Sequence, residues 1–410
     1  MSDPNPADDN KGSPTAGALD GIRVVDLSRY IAGPYCAMLL GDMGADVVKV
    51  EPPGRGEHSR TFGPFVEGES LYTMVFNRNK RSLTLDLRSD QGKDLLRGLL
   101  READVLVENF VPGTLESMGF DWNTLKELNP RLIVTRISGF GQSGPLSRKP
   151  CFDVIAQTMS GLMDITGEPG GRPTMAGTYI VDYSTGLYAT IGTLGALQAR
   201  HRTGTGQIVD VALLDSAMSL LMTAIPEQML LGRTMTRRGN RDRYGAPANT
   251  FATRDGAWVH LAVAGDPMFR ALANAMGRPG LASDSRFKDN AARMENVEEL
   301  ERLITRWTTA LTATELLNEL QAIGVPSAKV APVSELVDNP HLAHRGQILN
   351  MEHPKAGTVP MQGFSVQFGE SPMRLRHPPP MLGEHTNAIL AEWLAMTPDR
   401  ITQLRECGAV

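Results

Sequence analysis

The segment Gly177-Thr-Tyr-Ile-Val-Asp182-Tyr-Ser-Thr-Gly186 delivers one carboxylate, Asp182, to the start of a stretch with helical periodicity. Two kinds of chemistry suit a carboxylate there. As a cap it would accept orphan backbone N–H bonds and be favoured by the helix dipole; as a reacting group it would be an oxygen nucleophile. From Tyr183 to Arg200, Leu187, Ile191, Leu194 and Leu197 recur at helical spacing, and Arg200-His-Arg202 before Gly204 gives a basic last turn and a stop. Gly186, Ala189, Gly192, Gly195, Ala196 and Ala199 line up at three- and four-residue steps. An interior glycine costs about 1 kcal/mol relative to alanine, so close approach of another backbone is the expected return.

Other constellations are weaker. Eight histidines form no HxxxH or HExxH pattern, and His341 and His344 have no acidic cluster beside them, so no metal is expected. Cys36, Cys151 and Cys407 make no CxxC pair and point to neither a disulfide framework nor zinc. There is no Gly-x-Ser-x-Gly elbow and no Walker loop. Lys49, Arg55, Arg60, Arg78, Lys80 and Arg81 form a basic set in loops beside strands. That set reads either as solvated turns or as a clamp for an anionic cofactor.

These residues need a scaffold. Ile22–Leu27, a helix over about Pro34–Met43 and Ala45–Glu51 form a βαβ unit. Strands at Ser82–Leu87, Asp104–Val107 and Leu132–Ile137 and a helix at Ser89–Glu102 continue the alternation, predicting an open parallel α/β sheet covered on both faces. No Gly-x-Gly-x-x-Gly follows the first strand, so the dinucleotide fingerprint is absent. Residues 1–18 read as a disordered tail, 19–224 as a large domain, and 225–330 as a smaller α+β domain with a hairpin around Asp255-Gly256. Residues 331–410 read as a proline-rich segment returning to the large domain. A net charge of −5 argues against nucleic acid, no apolar run is long enough to span a membrane, and a reducing cytoplasm suits the cysteine pattern.

Taken together, seven ordered motifs resemble the class III CoA-transferase family, which includes formyl-CoA transferase, carnitine CoA-transferases and α-methylacyl-CoA racemases. They are Asp26-Leu-Ser-Arg-Tyr-Ile-Ala-Gly-Pro34, Gly41–Glu51, Asn77-Arg-Asn-Lys-Arg-Ser82, Val107–Gly113, Gly139-Phe-Gly141, the Asp182 segment and Pro380–Thr386. The resemblance implies a Rossmann-like large domain, a small domain, and two chains interlocked in a homodimer. It implies acyl-CoA and carboxylate substrates, with CoA as a substrate rather than a resident cofactor. Asp182 would be the covalent nucleophile. By motif position Ala32, Lys80, Asn109, Phe110, Thr114 and Met118 would line the CoA site along with Gly139, with Tyr30 and Ile31 near the thioester and Asp153 close to Asp182.

Some members carry Gln in place of Ile31 and Arg in place of Ser117. The glycine flap of formyl-CoA transferase is missing, which disfavours formyl or oxalyl substrates. Phe152 stands where racemases carry a proton-transferring His, and a phenyl ring moves no protons. The expectation is transfer of CoA from succinyl-CoA to a dicarboxylate, with Arg29, Arg60 or Arg78 meeting the distal carboxylate. The alternatives are an acyl-CoA racemase and a non-catalytic acyl-CoA-binding homologue.

Overall fold

Six short strands, five of them rich in Val, Ile or Leu, form one parallel sheet: β1 (Arg23–Asp26), β2 (Asp46–Glu51), β3 (Lys80–Thr84), β4 (Val105–Glu108), β5 (Ile133–Ser138) and β6 (Ile208–Ala212). Their order across the sheet is β3-β2-β1-β4-β5-β6, every neighbour parallel. This computed structural model describes residues 16–410, so most of the expected tail lies outside the described residues. Because successive side chains in a strand face opposite ways, Val24 and Val47 enter one core while Val25 and Val48 enter another. Both faces are covered, as a parallel sheet requires.

One face carries α1 (Ala32–Asp42) and a long helix; the other carries α2 (Asp90–Glu102). The Ser89 side chain caps α2 by accepting from the Gly92 N–H, which explains its start at that point. The helices Thr386–Leu394 and Pro398–Glu406 add Ile389, Leu390, Trp393, Ile401 and Leu404 to the α2 side. α3 (Asp153–Ser160) precedes α4 (Ile180–Thr203), which ends on Gly204 at φ 73°.

The four large aliphatics of α4 do not form one buried face. Leu197 is buried, but Leu187 and Ile191 are exposed, and Ala189, Thr193 and Ala196 face inward instead. A Cβ on Gly186 would lie 2.8 Å from the Ala32 carbonyl oxygen and 2.9 Å from the Tyr35 ring. The glycine is therefore there to let α4 press against the start of α1.

The chain divides into two compact units, one taking the chain up to Leu162 with Ala176–Met222 and His341–Val410, the other Met163–Met175 with Thr223–Pro340. The second unit holds an antiparallel sheet of Ala248–Ala252, Trp258–Ala262 and Ser327–Lys329. Phe251, Val259, Leu261, Phe269, Leu300 and Leu316 build its core. Among the described residues, no helix is long and apolar enough to cross a membrane.

Candidate active site

The strand order reverses between β1 and β4, and the loops leaving their carboxyl ends part there to open a crevice, the usual ligand position in such sheets. Asn109 fastens the two loops together. Its Oδ1 accepts from the Arg29 N–H at 2.8 Å and its Nδ2 donates to the Arg29 carbonyl at 2.7 Å. On the far side of Asn109, Glu108 accepts from the Phe110 N–H at 2.8 Å and from Arg136 Nε at 2.7 Å.

A cavity of about 330 Å³ opens beside these loops. Tyr30, Ile31, Ala32, Asn109, Phe110, Thr114, Gly139 and Asp182 all line it. A second cavity of about 360 Å³ shares Arg29, Phe110 and Thr114 with the first and adds Met118, Ser117, Arg88 and Lys93. The two adjoin through these shared residues, with Asp182 lining the first and the additional cations Arg88 and Lys93 lining the second.

Asp182 lies in the first turn of α4, yet it does not cap that helix. Asp153 does: its Oδ2 accepts from the backbone N–H groups of Val181 at 2.7 Å and Asp182 at 3.0 Å. Its Oδ1 accepts from Gln157 Nε2, and Gln157 in turn holds the Ala176 N–H at 3.0 Å. Asp153 is buried behind the groove rather than lining it. Among the described residues the Asp182 carboxylate has no hydrogen-bond or ion-pair partner. Burial, and then the negative charge of Asp153, push it up to about 7. A carboxylate of that basicity, with no donor to blunt its lone pairs, is ionised in part at neutral pH and is a good oxygen nucleophile.

The Tyr30 loop is held by buried charges. Tyr30 adopts φ 66°, a left-handed conformation that costs a non-glycine residue about 1–2 kcal/mol. Its N–H donates to Glu57 Oε2 at 3.0 Å. Lys49 pairs with Glu57 at 3.3 Å and donates to the Ser28 carbonyl; Lys80 donates to Asp26 Oδ2 at 2.9 Å and to the Pro34 carbonyl at 2.8 Å. Burial alone would raise the Asp26 carboxyl, but Lys49, Lys80 and the Ser28 hydroxyl outweigh it and hold it below its usual range. Lys80 is fully buried and is not on the groove. It supports the loop from within.

Arg55 is exposed in a turn, but the rest of the basic set is tied up in pairs inside the protein. Arg60 makes a bidentate pair with Glu51, both bonds 2.7 Å, Arg78 is taken by Asp42 and by the Gln362 carbonyl, and Arg81 pairs with Asp46 and Glu392. Of the three arginines considered for a distal carboxylate, only Arg29 lines the groove, its guanidinium 5.0 Å from the centre of the Phe110 ring. Lys149, which sequence reasoning passed over, also lines the first cavity. Its signal was its place in a glycine-rich loop eight residues beyond Gly141.

Phe152 is exposed at the N-cap of α3 and meets Tyr30 edge-on, ring centres 5.6 Å apart. Beside it lies Cys151, whose thiol burial and the charges of Asp182 and Asp153 push up to about 11. Cys151 packs so closely under Gly139 that a Cβ there would sit 2.2 Å from the Cys151 Cβ. Gly139 thus serves the groove by leaving room for its own wall. No group of three His, Cys, Asp or Glu side chains able to hold a metal occurs among the described residues.

Fold, groove and sequence together define the class: the chain belongs to CoA-transferase family III, whose family model matches residues 19–386. It is 39% identical to the succinyl-CoA–D-citramalate CoA-transferase of Chloroflexus aurantiacus, covering 94% of this chain and 96% of that protein. It is 35% identical to human succinyl-CoA:glutarate CoA-transferase, covering 96% of this chain and 90% of that one. A crystal structure of a CaiB/BaiF family protein from Brucella suis superposes with a TM-score of 0.83 at 38% identity, over 92% of this chain and 100% of that one.

Proposed function

We propose that the protein moves CoA from an acyl-CoA donor, best fitted by succinyl-CoA, to a dicarboxylate acceptor through covalent intermediates on Asp182. The reading rests on one observation above all: a partly buried carboxylate with no donor, pushed up to about 7, at the acidic end of a groove at the switch point of the sheet. The names of the relatives supply the substrate class.

An Asp182 oxygen attacks the thioester carbonyl carbon; the C–S bond breaks and CoA leaves as thiolate, giving a mixed anhydride. The thiolate attacks the Asp182 Cγ, the C–O bond breaks, and the donor acid departs as a carboxylate, leaving an aspartyl-CoA thioester. The acceptor carboxylate then attacks that carbon and the two steps run in reverse. No proton is consumed, and the activated acyl energy is kept. Backbone N–H groups around the groove would hold the developing oxyanions. Tyr30, Ile31 and Ala32 would flank the thioester, while Asn109, Phe110, Thr114 and Met118 would carry CoA toward Arg88 and Lys93.

The proposal extends to an interlocked homodimer, supported by the exposure of Leu187, Tyr188 and Ile191 on α4, and to a cytoplasmic location suited to three unpaired cysteines. Incubation with succinyl-CoA, trapping with hydroxylamine and peptide mass spectrometry test the chemistry. A hydroxamate at Asp182 is expected; full transferase activity in Asp182→Ala would refute it.

A further inference from the structure

A dicarboxylate acceptor brings two charges to the groove. One carboxylate attacks the enzyme thioester, and the other is a spectator that needs a counter-charge as water is excluded. The cations nearby are mostly spent. Arg60, Arg78, Lys49 and Lys80 are each paired inside the protein. Arg88 and Lys93 belong to the second cavity, and Arg29 stands at the junction of both, so these three flank the path that a phosphate-bearing CoA chain would take. Among the described residues, Lys149 is the one cation that lines the first cavity and not the second, the same cavity that Asp182 lines.

We infer that Lys149 reads the distal carboxylate of the acceptor and so sets the preference for dicarboxylates over monocarboxylates, an inference that rests on the transferase reading above. The loop that carries Lys149 is anchored while its side chain is not. Gln142 N–H donates to Asp210 at 3.0 Å and Lys149 N–H to the Leu146 carbonyl at 2.8 Å. Lys149 is exposed and its side chain forms no ion pair among the described residues. A compact charge on a flexible four-carbon stem, unlike the planar fork of arginine, tolerates acceptors of different length.

Butyrate is glutarate without its second carboxylate, so the ratio of kcat/KM for the two acceptors isolates the distal contact. In Lys149→Met that ratio should fall at least tenfold, carried by a higher KM for glutarate, and further in Lys149→Glu. Lys149→Arg, which keeps the charge, should restore most of it. A ratio in Lys149→Met within twofold of wild type overturns the assignment, as does a collapse in Arg29→Met that Lys149→Met does not show. Trapping at Asp182 in the wild type separates the two failures. An adduct with an unmoved ratio removes Lys149 alone, whereas no adduct with any donor removes the transferase reading and this inference with it.

Discussion

Asp153 takes both backbone N–H groups at the head of α4 and thereby leaves the Asp182 carboxylate, one residue into the same turn, without a donor. Had Asp182 accepted those bonds itself, its anion would be stabilised and its oxygens blunted. Two aspartates 29 residues apart in sequence thus differ in role: Asp153 satisfies the helix end, and the Asp182 carboxylate is left without a hydrogen bond.

The raised Asp182 carboxyl makes folding pH-dependent. In the unfolded chain the group ionises near pH 4, but in the folded protein it holds its proton up to about pH 7. Wild-type stability therefore declines from pH 4 to 7 relative to a neutral isostere and the deficit is complete above pH 7. Asp182→Asn should be inactive yet more stable, with its advantage growing by about 1–3 kcal/mol between pH 5 and pH 8.5. Urea denaturation at the two pH values measures it, and an advantage that shrinks with pH would contradict the assignment.

Asp153 contributes its charge to that shift, after burial. Replacing it by Asn keeps an acceptor for one or both N–H groups but removes the charge, so the Asp182 carboxyl should move back toward its usual range. The acidic limb of the kcat/KM profile should shift down by about 0.5–1 pH unit, with a stability loss of about 1 kcal/mol from the poorer cap. An upward shift of the limb would show that Asp153 does not act through its charge.

Lys80 tests whether a motif residue touches ligand or supports those that do. Removing its ammonium leaves buried Asp26 with the Ser28 bonds but, among the described residues, only the more distant cation Lys49, 3.9 Å away. Lys80→Met should cost about 3–5 kcal/mol in chemical denaturation, while calorimetric CoA affinity of the folded variant changes by no more than about threefold, well under the 1.4 kcal/mol of a tenfold loss. Preserved stability with lost CoA binding would return Lys80 to the ligand.

The alternating strands and helices of the sheet were legible because both faces are buried, which writes Val24-Val25 and Val47-Val48 as continuous apolar runs. Ser89 and Gly204 marked helix ends by local chemistry alone. Lys49 and Lys80 were not legible as buried groups. Their partners Asp26 and Glu57 arrive through parallel pairing and a distant loop, and a charge run looks the same in sequence whether water or carboxylates surround it. The groove residues flanking the switch point, Tyr30 to Ala32 and Asn109 to Thr114, were found through their motifs, whereas Lys149 carried no motif and only the fold brings it to the cavity of Asp182. The small residues of α4 did announce a close neighbour, which is α1 at Gly186, but not that Leu187 and Ile191 would be left outside.

A thiol beside an activated acyl group is a hazard, because a cysteine thiolate is a stronger acyl acceptor than a carboxylate. Cys151 lies in the same cavity as Asp182 and is pushed up to about 11. At neutral pH only about one molecule in ten thousand carries it as thiolate. Burial first, and then the charges of Asp182 and Asp153, keep that competing thiol protonated, so that under the proposed mechanism acyl groups would pass through the aspartyl route instead of being stranded on sulfur.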